Sequence, residues 1–501
     1  MKEATKEFLA EQEKIYIKRR EEILNTKDEL EIKGTTYYVS NDGDDNNDGL
    51  TPETAWKTPN KINKVWLNPG DGVLFKRGDL FRGQAILSQA GITYGAYGEG
   101  EKPKFYGWDE DLADPSLWEE HDNEKHIWKY KKEILDVGTL VFNDGEKVSR
   151  KLIPTFRGMQ FVCRDDETKP FVMENEMTED LDIFWYFERT LTRRRPKDNE
   201  DFPVPEPRNQ SGDLYLRCDN GNPGEVFDSI EAIAHLTTFK CADKANVRVD
   251  NICMKYYCFG VSAGRGEGAK NLAVTNCEIG WIGGNILHYL GTDPNYPEGS
   301  RGSVTRYGNG IEVYGRCDGF LVENNYIYEA YDAGASHQET AIAKDDMKNV
   351  TYKNNLIEKC VYGIEYFLGE IGEGYDCIME NIEICDNIIR LSGYGWGQQR
   401  HNVHTPALIK GWSYRNKAKN FKIYGNTLDR CAYKMVHLVA EKEEYCPIMD
   451  GNTYIQYSGQ MIGRWGGNEV KEPDIEIFDE KAEEKINNVF GDRNAEVYII
   501  K

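Results

Sequence analysis

Two glutamates stand at matching places in a series of glycine-led phrases, with an aspartate in the phrase between them. Aligned on the glycine, Gly310-Ile311-Glu312, Gly334-Ala335-Ser336, Gly363-Ile364-Glu365 and Gly395-Trp396-Gly397 form one column, and Asp332 stands four residues before Ser336. If each phrase is one turn of a coil whose strands stack about 4.8 Å apart, Glu312 and Glu365 lie about 9.6 Å apart with Ser336 between them. Paired carboxyl groups are the equipment for cleaving a glycosidic bond. One protonates the leaving oxygen; the other is a nucleophile at about 5–5.5 Å, giving retention, or a base for water at about 6.5–9.5 Å, giving inversion. Asp332 with Glu365 would suit retention and Glu312 with Glu365 inversion, and crowding in a partly dry groove would raise one pKa. The expected roles are Asp332 as nucleophile, Glu365 as acid/base and Glu312 as a hydroxyl-binding or substitute catalytic group.

Around these carboxylates the sequence supplies groups suited to sugar. YDAGASHQE adds His337, Gln338 and Glu339, and Glu339 is the replacement should Glu365 prove structural. Arg306, Arg400, His401 and His404 are expected on the groove's rim. His401 and His404 have no accompanying third ligand, so no metal is expected. Trp281, Tyr307, Tyr314, Tyr366, Trp396 and Trp412 offer apolar faces with polar rims to the C–H faces of a sugar, or else pack in the core.

The elements that must hold these residues repeat. VRVDNICMKYYCFGVSA, LAVTNCEIGWIGGNIL, FLVENNYIYEAYDAGASHQ, NVTYKNNLIEKCVYGIEYF, IEICDNIIRLSGYGWGQQ and FKIYGNTLDRCAYKMVHL are variations on one phrase. Each has a short strand, an Asn or Gly turn and an apolar residue two places on. Such recurrence predicts a solenoid whose apolar side chains form ladders, with Ile252, Cys277, Ile327, Ile357, Ile388 and Leu428 as one of them. Residues 288–309, 337–347, 368–380 and 398–418 are expected to follow the same strand of their turns and wall one groove.

The remaining segments read as attachments. Residues 1–34 are expected to form a helical segment and 35–104 the start of the coil. Residues 105–228 read as an inserted β-rich, sandwich-like module, 229–455 as the main coil with its cleft, and 456–501 as a cap over the last turn. Asp44, Asn46, Asp48 and Gly49 begin like a calcium loop, but Ala55 stands where the bidentate glutamate belongs. The net charge of −23 disfavours nucleic acid, and favours neutral over acidic sugar unless a local basic patch intervenes. The one dense basic run, RRRPK, has acidic neighbours and reads as a solvated loop. A charged N-terminus without an apolar leader, no membrane-spanning stretch and twelve cysteines without a CxxC pair lead to the expectation of a reduced, cytoplasmic protein.

YYVSNDGDDNNDGLTPETAWKT and NPGDGVLFKRGD resemble the opening segment of right-handed parallel β-helix carbohydrate enzymes of the pectate-lyase-like superfamily. The inserted module is similar to that of parallel-β-helix glycoside hydrolases of the β-xylosidase and α-L-fucosidase/xylanase groups. The resemblance spans most of residues 35–460 and implies an all-β fold and a carbohydrate-active enzyme, without naming the sugar. The expectation is therefore a glycoside hydrolase with no cofactor, retaining and exo-acting on a neutral oligosaccharide or glycoside, with a homo-oligomer conceivable through the N-terminal helix. A lyase or epimerase on the same fold, and a non-catalytic carbohydrate-binding β-helix, stay open.

Overall fold

The computed structural model describes the chain apart from residues 1, 28–29, 152–153, 156–161, 164–182, 188–210, 265–267, 291–302, 340–345, 369–376, 400–405, 415, 442 and 468–469. The chain is an all-β parallel β-helix in which successive turns lay short strands on three sheets of 11, 12 and 10 strands. One turn shows the scheme. Tyr326–Ala330 joins the first sheet, Ala333–Glu339 the second and Met347–Lys353 the third, before an asparagine corner returns the chain to the first at Leu356–Glu358.

Two-residue periodicity sends alternate side chains inward, where they stack turn upon turn. On the first sheet the row is Met254, Ile279, Ile327, Ile357, Ile389, Leu428 and Tyr454. Ile327, Ile357 and Leu428 thus hold their expected places, whereas Ile252, Cys277 and Ile388 do not. Ile252 and Cys277 sit two residues earlier, at the corner, and Ile388 one residue earlier and only half-buried.

The corner belongs to asparagine. Asn325, Asn355, Asn387, Asn426 and Asn452 are buried in one file. Each accepts, at its side-chain oxygen, the backbone N–H of the residue ahead of it in the file, as in Asn355 N to Asn387 Oδ1 at 3.0 Å. Each also donates from Nδ2 to a carbonyl of the neighbouring turn, Tyr352 for Asn387, at 3.0 Å. The file ends where Asn452 donates to Asp492 at 2.8 Å. Asn387→Ala would strand the Asn355 N–H and the Tyr352 carbonyl away from water. The expected cost is about 2–4 kcal/mol in urea unfolding; a loss below about 1 kcal/mol would mean that neighbouring groups take over the bonds.

The inserted module is joined at the edge of the second sheet. Ile230–Ala242 pairs antiparallel with Val137–Phe142 of the module over its first half, and parallel with Tyr257–Ala263 over its second. The module has its own core, including Trp118, Tyr130, Leu140, Phe142 and Leu216. The RRRPK run lies outside the described residues.

The N-terminal helix α1 (Lys6–Leu24) is capped by Thr5 and lies across the first sheet, burying Tyr16 and Ile23. Arg390 holds Glu13 at 2.8 Å and Glu358 at 3.0 Å, with its guanidinium 4.4 Å from the Tyr16 ring centre. Ile15 and Ile17 of the same helix are exposed, and ion pairs such as Arg20 with Glu358 at 3.1 Å contribute to the interface. The Asp-rich turn satisfies itself: Asp48 accepts from Leu50 N and Thr54 Oγ1, and Asp45 from Thr58 Oγ1. Eleven described cysteines are free thiols. Among the described residues no helix is long and apolar enough to cross a membrane, and no cluster of three or more His, Cys, Asp or Glu is placed to hold a metal.

Candidate active site

The second sheet carries seven parallel strands in succession: β1 (Tyr257–Ala263), β2 (Ile311–Tyr314), β3 (Ala333–Glu339), β4 (Tyr362–Leu368), β5 (Ala407–Tyr414), β6 (Lys434–Ala440) and β7 (Met461–Gly467). Their register aligns Ser262, Glu312, Ser336, Glu365, Lys410, His437 and Arg464 in one row. Each is bracketed by inward residues, as Ile364 and Tyr366 bracket Glu365, so the row itself faces out. The sequence column thus holds for Glu312, Ser336 and Glu365. Its fourth member does not: Gly395-Trp396-Gly397 is outside the sheet, and Lys410 stands beside Glu365.

The row changes sign along its length. At the acidic end the buried Asn309 donates to Glu312 Oε2 at 2.6 Å and to Ser336 Oγ at 3.3 Å, and accepts the Ala333 N–H at 2.8 Å. Gln338 donates to Ser336 Oγ at 3.0 Å. One strand on, Glu365 forms a buried ion pair with Lys410 at 2.8 Å. The Lys410 ammonium also lies 3.8 Å from the Tyr362 ring centre and 4.3 Å from that of Trp412. Trp412 and Phe367 sit two residues beyond the row, ring centres 5.8 Å apart, and give the face an aromatic platform. Beyond Lys410 come His437, Lys434 and Arg464. Burial, reinforced by Lys434, pushes the His437 imidazole down to about 3, and its Nε2 donates to the Gly466 carbonyl at 3.0 Å. Arg464 holds Asp474 at 2.9 Å on the antiparallel strand Val470–Ile477.

Asp332 is buried at the start of β3. Because Ser336 is the residue opposite Glu365, Asp332 is displaced from Glu365 by four residues along the strand direction, up to about 13 Å of extended backbone. Adjacent turns therefore do not bring these two carboxylates together in the way the sequence spacing suggested.

Five residues expected on the groove are placed elsewhere. His337 and Tyr366 point inward, since they flank the outward row. Their rings stack 5.9 Å apart inside the coil, and burial pushes His337 down to about 3. Tyr366 fits only because position 411 is glycine: a Cβ there would lie 2.0 Å from its ring. Trp281 and Trp396 pack with Tyr331 in a separate cluster, Trp281 beneath the Gly145 turn of the module. Arg306 is a buried clamp, donating to the Gly284 carbonyl at 2.6 Å and to the Gly138 carbonyl at 3.0 Å. Of the rest, Gln338 is half-buried two residues beyond Ser336, in register with Phe367, and Glu339 half-buried next to Gly315. Tyr307 is half-buried in the segment leading to β2, and Tyr314 half-buried at its end. Arg400, His401 and His404 lie outside the described residues.

The insertions also depart from expectation. Residues 340–345 and 369–376 follow second-sheet strands, but the segments 283–310 and 393–406 precede them. Asn309, Lys410, Lys434, His437 and Arg464 were not singled out from sequence. Lys410 and His437 had a legible signal, since Ile409-Lys410 and Val436-His437 repeat the apolar–polar pair of Ile364-Glu365.

A cavity of 1710 Å³ lies elsewhere, between α1 and the first sheet, and Trp281 lines it together with Tyr106, Lys255, Glu278 and Glu329. Its charges are largely closed on one another: Lys255 with Glu278 at 2.8 Å, Tyr328 with Glu278 at 3.0 Å, Lys359 with Glu329 at 3.5 Å. Burial pushes the Glu329 carboxyl up, and the Trp396 N–H holds it at 2.9 Å. The second-sheet row is the better candidate because Glu312 and Glu365 stand two strands apart on one outward face beside the half-buried Phe367 and Trp412.

No family model matches the chain. It is similar to the lacto-N-biosidase of Bifidobacterium longum subsp. longum, at 40% identity over 81 residues, and this stretch is 14% of the chain and 5% of that protein. Among solved structures it is similar to XylC in complex with xylose, at 13% identity and a TM-score of 0.41, covering 93% of this chain and 82% of that one. It is also similar to a GH136 lacto-N-biosidase from Eubacterium ramulus, at 13% identity and a TM-score of 0.40, covering 99% and 72%. A third, described as a glycoside hydrolase, matches at 11% identity and a TM-score of 0.43, covering 87% and 95%. At these scores the fold rests on the chain's own register.

Proposed function

We propose that this protein is a glycoside hydrolase acting on an oligosaccharide or glycoside bound along the outer face of the second sheet. The observation that carries this is the row Glu312, Ser336, Glu365. Two carboxylates two strands apart have backbones about 9.6 Å from one another, a spacing from which side chains that lean together on substrate would reach the separation used for inversion. Retention, which rested on Asp332 beside Glu365, loses its support from the register. Glu365, held by the Lys410 ammonium at 2.8 Å, takes the proton of an attacking water as its oxygen bonds to the anomeric carbon. Glu312 delivers a proton to the departing glycosidic oxygen, and the ring lies over Ser336 on the platform of Trp412 and Phe367. Asp332 and Gln338 are proposed to hold hydroxyls at the rim. The 81-residue likeness to a lacto-N-biosidase is in keeping with an oligosaccharide substrate.

The test is the release of reducing sugar from a panel of oligosaccharides, with the product anomer read by proton NMR before it mutarotates. The expected result is hydrolysis with an inverted anomer. A retained anomer would restore Asp332 as nucleophile, and binding without hydrolysis would favour a carbohydrate-binding β-helix. A lyase reading is favoured by one observation, the buried Lys434 amine, pushed down to about 8 by burial and by Arg464 and Lys410. It would show itself as new ultraviolet absorbance from an unsaturated uronide.

A further inference from the structure

Lys434 is buried, at 3% exposure, in β6, in register with Ala407 and Tyr362, a column that lies on the Lys410 side of the sheet because the Lys410 ammonium is 3.8 Å from the Tyr362 ring centre. Among the described residues its ammonium faces the Tyr433 ring, 4.5 Å from the centre, and meets no carboxylate. The charges acting on it most strongly are Arg464 and Lys410, both positive. The register accounts for this. Lys434 pairs with Ala407 on one side and Met461 on the other, three residues before His437 in its strand, between the strands that bear Lys410 and Arg464. Those two neighbours have counter-ions of their own, Glu365 at 2.8 Å and Asp474 at 2.9 Å. Among the described residues no carboxylate forms an ion pair with the third cation, on which Glu476 acts only at longer range, and a buried ammonium without a counter-ion is a costly arrangement unless something supplies the missing charge.

We propose that Lys434, flanked by Lys410 and Arg464, is an anion-binding subsite that receives a carboxylate or sulfate carried by the substrate, two strands from Glu365. This rests on the glycosidase reading for what the anion is attached to, but not for whether an anion binds. Two strands are about 9.6 Å, and the three-residue step from Lys434 to His437 adds up to about 10 Å along the strand, so the charged group would sit beyond the bond being cleaved instead of on it. The chain's overall charge of −23 disfavours acidic ligands in general, and this local patch is what would overcome it. A ligand oxygen here would meet a donor already desolvated and fixed in place, which favours tight, specific binding.

The experiment is calorimetric titration of the full chain with glucuronate, with inorganic sulfate, and with glucose as the neutral counterpart. It is run on wild type, Lys434→Met and Lys434→Arg. Wild type is expected to bind at least one anion about tenfold or more tightly than glucose, a difference of about 1.4 kcal/mol. Lys434→Met should abolish that preference and Lys434→Arg retain most of it. Glucuronate binding without sulfate binding identifies a uronate ligand, and the reverse a sulfated one. The melting temperature of Lys434→Met should not fall, since it removes an unpaired buried charge, so lost binding is not lost folding. Absence of anion preference in wild type, or its survival in Lys434→Met, overturns the subsite. If anions bind through Lys434 but no glycoside is hydrolysed, the glycosidase reading falls and the subsite stands. Hydrolysis without anion preference does the opposite.

Discussion

Glu365→Gln is expected to lower glycoside hydrolysis by about 10²- to 10⁴-fold while leaving the chain folded. Glutamine keeps the size and the hydrogen-bonding oxygen of glutamate but cannot take a proton from water. The loss should therefore fall on kcat more than on KM. A structural cost accompanies it, because Lys410 would lose the carboxylate it holds at 2.8 Å. The Tyr362 and Trp412 rings still face the ammonium, so the destabilisation should be about 1–3 kcal/mol, short of unfolding. Adding Lys410→Met removes the stranded charge. The double variant should regain stability and not activity, which separates a catalytic carboxylate from one that merely anchors Lys410. Full activity in Glu365→Gln at unchanged pH would end the proposed role, and Glu339 would become the next carboxylate to replace.

Acid should unfold this protein through histidines sealed inside it. His337 lies between Tyr352 and Tyr366, ring centres 5.7 and 5.9 Å away, with Nδ1 hydrogen-bonded to the Tyr352 hydroxyl at 3.0 Å. Among the described residues its Nε2 has no hydrogen-bond partner. Burial lowers its pKa from 6.5 to about 3. In the unfolded chain the ring protonates near pH 6.5, so as pH falls below that value the unfolded state takes up a proton that the folded state refuses. Stability is unaffected by this group above pH 6.5. It declines by about 2 kcal/mol on reaching pH 5 and by about 4 kcal/mol on reaching pH 3. His437, lowered likewise, adds to the trend. The measurement is urea unfolding of wild type and His337→Phe between pH 7 and 5, where most carboxylates stay ionised. The variant should lose close to one proton's worth of the pH slope. Parallel profiles would mean that His337 opens to solvent and titrates normally.

Much of the architecture was legible before any coordinates. The repeated strand–turn–strand phrase, with asparagine or glycine at its corner, predicts stacked turns because each turn's apolar residues have no core unless another turn covers them. The same alignment placed Glu312, Ser336 and Glu365 in one column, since parallel pairing transmits register from turn to turn with little freedom. It failed where turns differ in length. Residues 393–406 intervene before β5, so the partner of Glu365 is Lys410 and not the Gly395 phrase. Spacing alone likewise put Ile252 and Cys277 in the wrong file, because the asparagine corner sets the phase of the strand that follows it.

What the tertiary structure decided is the direction of each side chain and its company. His337 and Glu365 are both polar residues in strands of one sheet, yet one is sealed in the core and the other faces out. One residue of register separates these outcomes, since successive residues in a strand point to opposite sides. Trp281, Trp396 and Arg306 carry no sign in the sequence that the inserted module packs on them, because that contact joins segments more than a hundred residues apart. The cationic end of the row depends on three strands meeting in register. Composition and period determine that this chain coils and stacks; which groups share a face, and which charge is left without a partner, is settled only when the turns are laid one upon another.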